Sequence, residues 1–378
     1  MQMGKMKPPT MEDIVSMFQA SGLKAKLIFT FAMVAVFRFC AQIPLFGINN
    51  EVFANIASGN NIIGFLDLFS GGALGNVSII ALGIGPFITA SIIMQLLAVI
   101  IPSLEQLQKE EGEAGRRKIS QYTRVFTVVI AAFQSFVFLA FLTSQASAAI
   151  LPGVNKGMFF FGSMLILTAG AVFVMWLAEL ITEKGIGNGG SLLIFCGILA
   201  GIPVYASRTS QLVAYDPKMQ LGLVVLLAIF FATMIFIVIM QEAIRKVIIV
   251  NPKRQVGNKI YGGISTFIPF KLNPGGVMPI IFASSIMQFP VIIVQLFTSN
   301  SYEWTKYLSQ SYWCRVQMPK YSIGLLLYII LVVVFAYFYT SITFNPVQIA
   351  DNLKKAGGVV PGITPGRSTS EYLNKILN

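Results

Sequence analysis

Histidine does not occur in this chain of 378 residues. The commonest general base at neutral pH and the commonest metal ligand are therefore both missing, and no metal, cofactor or catalytic chemistry is expected. Charge is also scarce. Asp, Glu, Lys and Arg make up 11% of the sequence, against about 25% in a soluble domain, so most of the chain cannot face water. Acid is the scarcer sign, with 15 Asp and Glu against 27 Lys and Arg and a formal net charge of +12. The cysteines number three, Cys40, Cys196 and Cys314. An odd count, two of them inside apolar runs, and no metal-binding spacing argue against a disulfide framework or a zinc site and for buried or free thiols. The first residues, MQMGKMKPPTMEDIVSMF, hold no apolar stretch followed by a small-residue cleavage site, so insertion is expected to rely on the first internal span.

What fills the chain instead is apolar: 55% of residues, with a mean hydropathy of +0.74. Apolar runs near the roughly 20 residues needed to cross a bilayer fall at 27–46, 77–101, 124–143, 159–181, 190–206, 220–241, 277–297 and 321–342. The expected fold is an all-α membrane protein, a bundle of eight spans. The fifth span, SLLIFCGILAGIPVY, is short and glycine-rich, which suits a helix packed closely among others better than one facing lipid.

Basic residues set the orientation. Threading the spans in order puts twenty Lys and Arg on one side, six on the other, and Arg38 inside the first span. The basic side is cytoplasmic, and both ends of the chain lie there. Positive-inside bias and contact with anionic lipid account for most of these residues. The loop from Arg245 to Lys271 is long and carries six basic residues (Arg245, Lys246, Lys253, Arg254, Lys259 and Lys271) after a lone Glu242. Turn signals stand at Asn251-Pro252 and Gly262-Gly263. Such a loop suits an acidic or nucleic-acid-bearing partner.

An internal repeat is the most informative pattern. Residues 83–95 read GIGPFITASIIMQ and residues 276–288 read GVMPIIFASSIMQ, with Gly83, Pro86, Ile88, Ala90, Ser91, Ile93, Met94 and Gln95 recurring 193 positions later. The copies lie in spans two and seven. Five spans apart, they enter the membrane in opposite directions, which is the inverted repeat that builds transport pathways. Pro86 and Pro279 are expected to kink these helices. Ile88 and Ile281, equivalent by the repeat, are expected in an apolar constriction that seals by dewetting. Just before span two, NIIGFLDLFSGGALGN has a helical apolar rhythm (Ile63, Leu66, Phe69, Leu74) but is too short to cross. It reads as an interfacial helix or as a half-helix folded back into the pathway, with Gly71-Gly72 as hinge.

The span interiors hold no Asp or Glu, the residues that bind a coupling ion in ion-driven transporters. Uncharged polar residues do occur there, among them Ser91, Gln95, Gln134, Ser284, Ser285 and Gln288. Gln95, Gln134 and Gln288 are candidates for weak bonds across a seam that opens sideways, or for ordinary bundle packing. From these residues alone, a polypeptide channel, a secondary solute transporter and a non-conducting assembly scaffold all stay open.

Four stretches go further: FSGGALGNVSIIALGIGPFITASIIMQLL, ITEKGIGNGGSLLIFCGILAGIP, NPKRQVGNKIYGGISTFIPFKLNPGGVMPIIFASSI and NLKKAGGVVPGITPGRSTSEYL. Over these, and from about residue 11 to the end, the chain resembles the SecY family, the large subunit of the bacterial and plastid protein-conducting channel. The resemblance implies a pore ring at Ile84, Ile88, Gly190, Ile194, Met278 and Ile281, with Gly190 leaving the ring slightly loose where the family often has an apolar side chain. It implies a plug over residues 62–75, covering Ile63, Leu66, Phe69, Gly71, Gly72 and Leu74. A side exit is implied between spans two and three and spans seven and eight, lined by Ser91, Gln95, Gln134, Ser284, Ser285 and Gln288. Partner docking is implied at Arg245, Lys246, Lys253, Arg254 and Lys259, and again at Lys354, Lys355 and Arg367. The implied partners are SecE-like and SecG-like small membrane subunits, the SecA motor or the ribosome, the translocating polypeptide with its signal peptide, and lipid, but not DNA. The implied location is the bacterial inner membrane, or the thylakoid if the chain is organellar.

The halves are expected at 1–208, with spans one to five and the plug, and at 209–378, with spans six to eight and the cytoplasmic loops 242–276 and 343–378. Two departures from the family stand out. Thr364 sits where the family's PGIRPG loop has an arginine. The family also has ten spans, so a chain that stops in the loop after the eighth is expected to be cut short.

Overall fold

The computed structural model describes residues 22–50, 52–53, 70, 72–109, 112–145, 147–151, 155–215, 219–250, 254–256, 259–261, 265–297, 303–308, 313, 319–343 and 346–377. The chain divides into two compact units, Met1–Thr209 with Val291–Ser311, and Ser210–Pro290 with Tyr312–Asn378.

In the first unit, α1 (Leu23–Ala41) is followed by an irregular run, then α2 (Gly85–Ile100), the short α3 (Pro102–Lys109), α4 (Gly112–Gln145) and α5 (Lys156–Lys184). The next helix, α6 (Gly189–Tyr215), begins here and ends just past the unit boundary. Helix α4 packs on α2 and α5, and α1 packs on α5. Two apolar cores hold the unit together. One gathers Leu45, Phe53, Val77, Leu139 and Leu167; the other gathers Phe37, Ile80, Ile84, Leu177, Ile181 and Leu193. The second span, expected over 77–101, is helical only from Gly85. Residues 72–84 form successive turns across α5, and Gly170 makes that crossing possible, because a Cβ there would collide with the Ile79 carbonyl. The fifth span is longer than its apolar run, at 27 residues, and carries Pro203 inside it. The notion of a short helix was wrong because the polar residues after Tyr205 continue the same helix.

The second unit holds α7 (Met219–Glu242), β1 (Ile244–Val250), β2 (Arg254–Val256), β3 (Lys259–Tyr261) and β4 (Ser265–Lys271). It continues with α8 (Met278–Phe297), whose last turns belong to the first unit. That unit also takes α9 (Glu303–Leu308). The second unit ends with α10 (Ile323–Thr343), α11 (Pro346–Ala356) and α12 (Arg367–Leu377). Helix α7 is apolar all round and exposed within this chain, with the length and hydropathy of a membrane span. Residues 117–143, 156–184, 189–214, 220–242 and 320–341 are long and apolar enough to cross a membrane, while residues 85–100 and 278–287 form shorter apolar helices.

The cytoplasmic loop expected between spans six and seven is a β-ribbon. Strand β1 pairs antiparallel with β4, from Ile244 opposite Lys271 to Val250 opposite Ser265, and β2 pairs with β3 beyond them. The alternation in IRKVIIV explains it: Val247 and Ile249 turn inward, while Lys246 and Ile248 turn out.

Candidate pore wall and docking body

The two copies of the repeat adopt the same local structure. Gly83 and Gly276 both have left-handed backbones, with φ of 55° and 57°. Their helices start at Gly85 and Met278, again 193 residues apart (278 − 85 = 193). The prolines at 86 and 279 thus stand in the first helical turn, where the missing N–H costs nothing. The kinks expected at these prolines are not formed; the prolines inside helices are Pro203 and Pro290. The amide of Gly83 donates to the Ile80 carbonyl at 2.8 Å, and the amide of Gly276 donates at 3.1 Å to the side-chain oxygen of Asn273, the position equivalent to Ile80. Ala90 and Ala283 are both fully buried, as nearly are Met94 and Met287.

In the first unit the ring candidates converge. Ile84 is 3% exposed and lies in the core with Leu177, Ile181 and Leu193, and Ile88 and Ile194 pack on that same core. A Cβ built on Gly190 would stand 3.3 Å from Cδ1 of Ile84 and 3.2 Å from Oδ1 of Asn188. Ile84 and Asn188 thus stand close against the face of Gly190. In the second unit Ile281 is buried and Met278 half-buried.

A latch holds the start of α6, and sequence reading missed it. The Ile186 amide donates to Oγ1 of Thr30 at 3.2 Å, the Gly189 amide to Oγ1 of Thr182 at 2.8 Å, and the Ser191 amide to Oδ1 of Asn188 at 3.2 Å. Gly189 is wedged against the Ala178 carbonyl, with no room for a Cβ. The run of glycines in TEKGIGNGG was the available signal. The partner from α1, Thr30, had none.

Of the plug residues, Ile63, Leu66, Phe69 and Gly71 lie outside the described residues. Gly72 is left-handed at φ 83°, and Leu74 is buried in the core with Leu45, Phe53 and Leu139. Among the side-exit residues, Ser91, Gln95, Gln134 and Ser285 are half-buried and Ser284 is buried, its hydroxyl donating to the Ile281 carbonyl at 2.9 Å. The side chain of Gln288 lies outside the described set. Among the described residues no hydrogen bond joins Gln95 to Gln134; α4 meets α5 through the hydroxyls of Ser135 and Thr168, 3.3 Å apart, and through Arg124 with Glu179 at 2.8 Å.

The two basic loops make one body. Val247 and Phe270 of the ribbon share a core with Val360 and Leu373 from the final segment, flanked by Ile268, Ile349, Ile363 and Ile376. Val250 and Val359 exchange both backbone hydrogen bonds, at 2.9 and 3.0 Å. Around this core Arg245, Lys246, Lys354, Lys355 and Arg367 are exposed, with the Lys246 ammonium 4.9 Å above the Phe267 ring. Lys253 lies outside the described residues, as do the side chains of Arg254 and Lys259. Thr364, in the place of the family arginine, donates its hydroxyl to Ser368, and its carbonyl accepts from the Thr369 hydroxyl. Arg367 pairs with Glu371 on its own helix at 3.2 Å.

A family model for SecY matches residues 78–378, well over half of the sequence. The chain belongs to the SecY family. Relatives agree with the match. The protein translocase subunit SecY of Synechococcus elongatus is 44% identical, over 98% of this chain and 83% of its own length. That of Escherichia coli is 42% identical, over 94% and 80%. Among solved structures, a protein-conducting channel aligns with a TM-score of 0.63 at 18% identity, covering 94% of this chain and 82% of that one. Sec61 in a canine ribosome-channel complex from the endoplasmic reticulum aligns with a TM-score of 0.55 at 18% identity, over 94% and 81%. At that identity these structures speak for the fold, a multi-span helical channel fold.

Proposed function

We propose that this chain is the central pore subunit of a protein translocation channel, passing unfolded secretory polypeptides across the membrane and releasing apolar segments sideways into lipid. The observation that carries the reading is the 44% identity, across nearly the whole chain, to a protein translocase subunit. Neither a solute transporter nor an assembly scaffold is favoured by those relatives. The chain is a channel subunit and no enzyme, so the driving energy comes from a partner.

In the proposed mechanism, residues 1–208 and 209–378 are the two inverted halves; the matched helix starts at Gly85 and Met278 support this. Ile84, Ile88, Gly190, Ile194, Met278 and Ile281 form an apolar gasket, supported in the first half by the shared packing of Ile84, Ile88 and Ile194. Residues 62–75 plug the pathway at rest. The side exit runs along Ser91, Gln95, Gln134, Ser284, Ser285 and Gln288, and selection there is by partition. Leu, Ile, Phe and Val favour the bilayer centre by about 0.3–0.6 kcal/mol each, and a charge costs about 2.5–3.5 kcal/mol.

A SecA-like motor or the ribosome docks on the cytoplasmic body at Arg245, Lys246, Lys253, Arg254, Lys259, Lys354, Lys355 and Arg367. Its exposed cations on a preformed core support that role. SecE-like and SecG-like subunits complete the channel, in a bacterial inner membrane or a thylakoid, with the basic loops in the cytoplasm or stroma. Uptake of a secretory precursor into vesicles depleted of the chain tests the whole. It should fall and return on replenishment; undiminished uptake refutes the reading.

A further inference from the structure

We propose that Gly190 is a notch that receives the Ile84 side chain, and that this pair sets how tightly the first half of the seal closes. The inference rests on the channel reading above and deepens it. The floor of the notch is fixed. Gly189 is wedged against the Ala178 carbonyl, its amide is held by Thr182, and Asn188 holds the amide of Ser191 from the preceding turn. Thr30 of α1 binds the amide of Ile186 and ties the turn to a second helix. Helix α6 therefore has no direction in which to give at this point. The wall opposite is Ile84, whose Cδ1 would be 3.3 Å from a Cβ on residue 190, tighter than most packed carbons, so it would have to give by a few tenths of an ångström. A side chain that continues beyond Cβ at 190 presses Ile84 further out of its place. Gly190 itself takes no left-handed φ, so a larger residue there meets no backbone penalty; besides Ile84 it meets Oδ1 of Asn188, 3.2 Å from the added Cβ.

The displacement does not stop at Ile84. That residue is the N-cap of α2, and its carbonyl accepts the Ile88 amide at 3.1 Å. A displaced Ile84 thus disturbs the next ring candidate one turn along. The glycine at 190 is then no gap. The missing volume is supplied from the neighbouring element, and the two positions form one unit of fixed total size.

The test is a double-mutant cycle in vesicles holding the full channel, with ion leak at rest and precursor uptake both read. Ile84→Ala empties the notch and should raise leak by about threefold or more; Gly190→Val overfills it and should lower uptake by about threefold or more. The pair Ile84→Ala with Gly190→Val takes three carbons from one wall and adds three to the other, and should return both readings to within about twofold of the unaltered channel. A merely structural role would lower both readings in each single variant and add in the double, which would overturn the proposal. So would normal uptake by Gly190→Val. A channel in which neither Ile84→Ala nor deletion of residues 62–75 changes leak would instead count against the pore reading itself.

Discussion

Gly83 and Gly276, 193 residues apart in sequence, share a left-handed backbone to within 2° of φ (57 − 55 = 2), each two residues before a helix that opens with proline at its second position. A side chain in that conformation costs about 1–2 kcal/mol. Gly83→Val and Gly276→Val should therefore each lower the thermal stability of the purified protein, by similar amounts. Gly222→Ala is the control. It sits inside α7 with open space around it, so it should be neutral or stabilising by up to about 1 kcal/mol, the helix preference of Ala over Gly. Equal tolerance at all three positions would dissolve the structural equivalence of the repeat.

Gly170 tests the crossing of residues 72–84 over α5. A Cβ at Gly170 would strike the Ile79 carbonyl, while one at Gly162, two turns earlier on the same helix, would meet open space. Gly170→Ala should lose folded yield in membranes, and Gly162→Ala should express and melt like the unaltered protein.

Much of this architecture was legible because the bilayer imposes it. Long apolar runs such as Leu221–Met240 have one stable form in lipid. The repeat was legible too, but not its geometry. Pro86 read as a kink because proline inside an apolar run usually is one, and only the left-handed Gly83 before it moves the helix start to Gly85. The ribbon at 244–271 was partly written in the alternation of IRKVIIV. Its packing against Leu373 was not, because a contact across more than a hundred residues leaves no local period. Likewise the notch at Gly190 depends on where Ile84 lands, which is a tertiary fact.

Leu373 is the keystone of the body made by the two basic loops, fully buried among Val247, Phe270 and Val360. Leu373→Ala should cost about 2–5 kcal/mol locally and expose both basic loops together to added protease. Arg367→Ala removes an exposed ion pair worth about 1 kcal/mol or less, and should leave the cleavage pattern unchanged. Separate loss of one loop's protection after Leu373→Ala would contradict the single body.

Docking should follow charge. Lys354→Glu with Lys355→Glu, and Arg245→Glu with Lys246→Glu, should each weaken binding of the motor or ribosome by a similar factor, with the gap between variant and unaltered protein narrowing as salt rises. Binding that ignores both pairs would move the partner's site elsewhere.

The account turns on a polypeptide passing through a ring of apolar side chains. A secretory precursor arrested midway, with the chain carrying cysteine at Ile88 or at Ile281, reads this directly by thiol crosslinking. The precursor should couple to both positions and not to a cysteine placed at Leu227, exposed on α7. Coupling at Leu227 with none at Ile88 or Ile281 would contradict it.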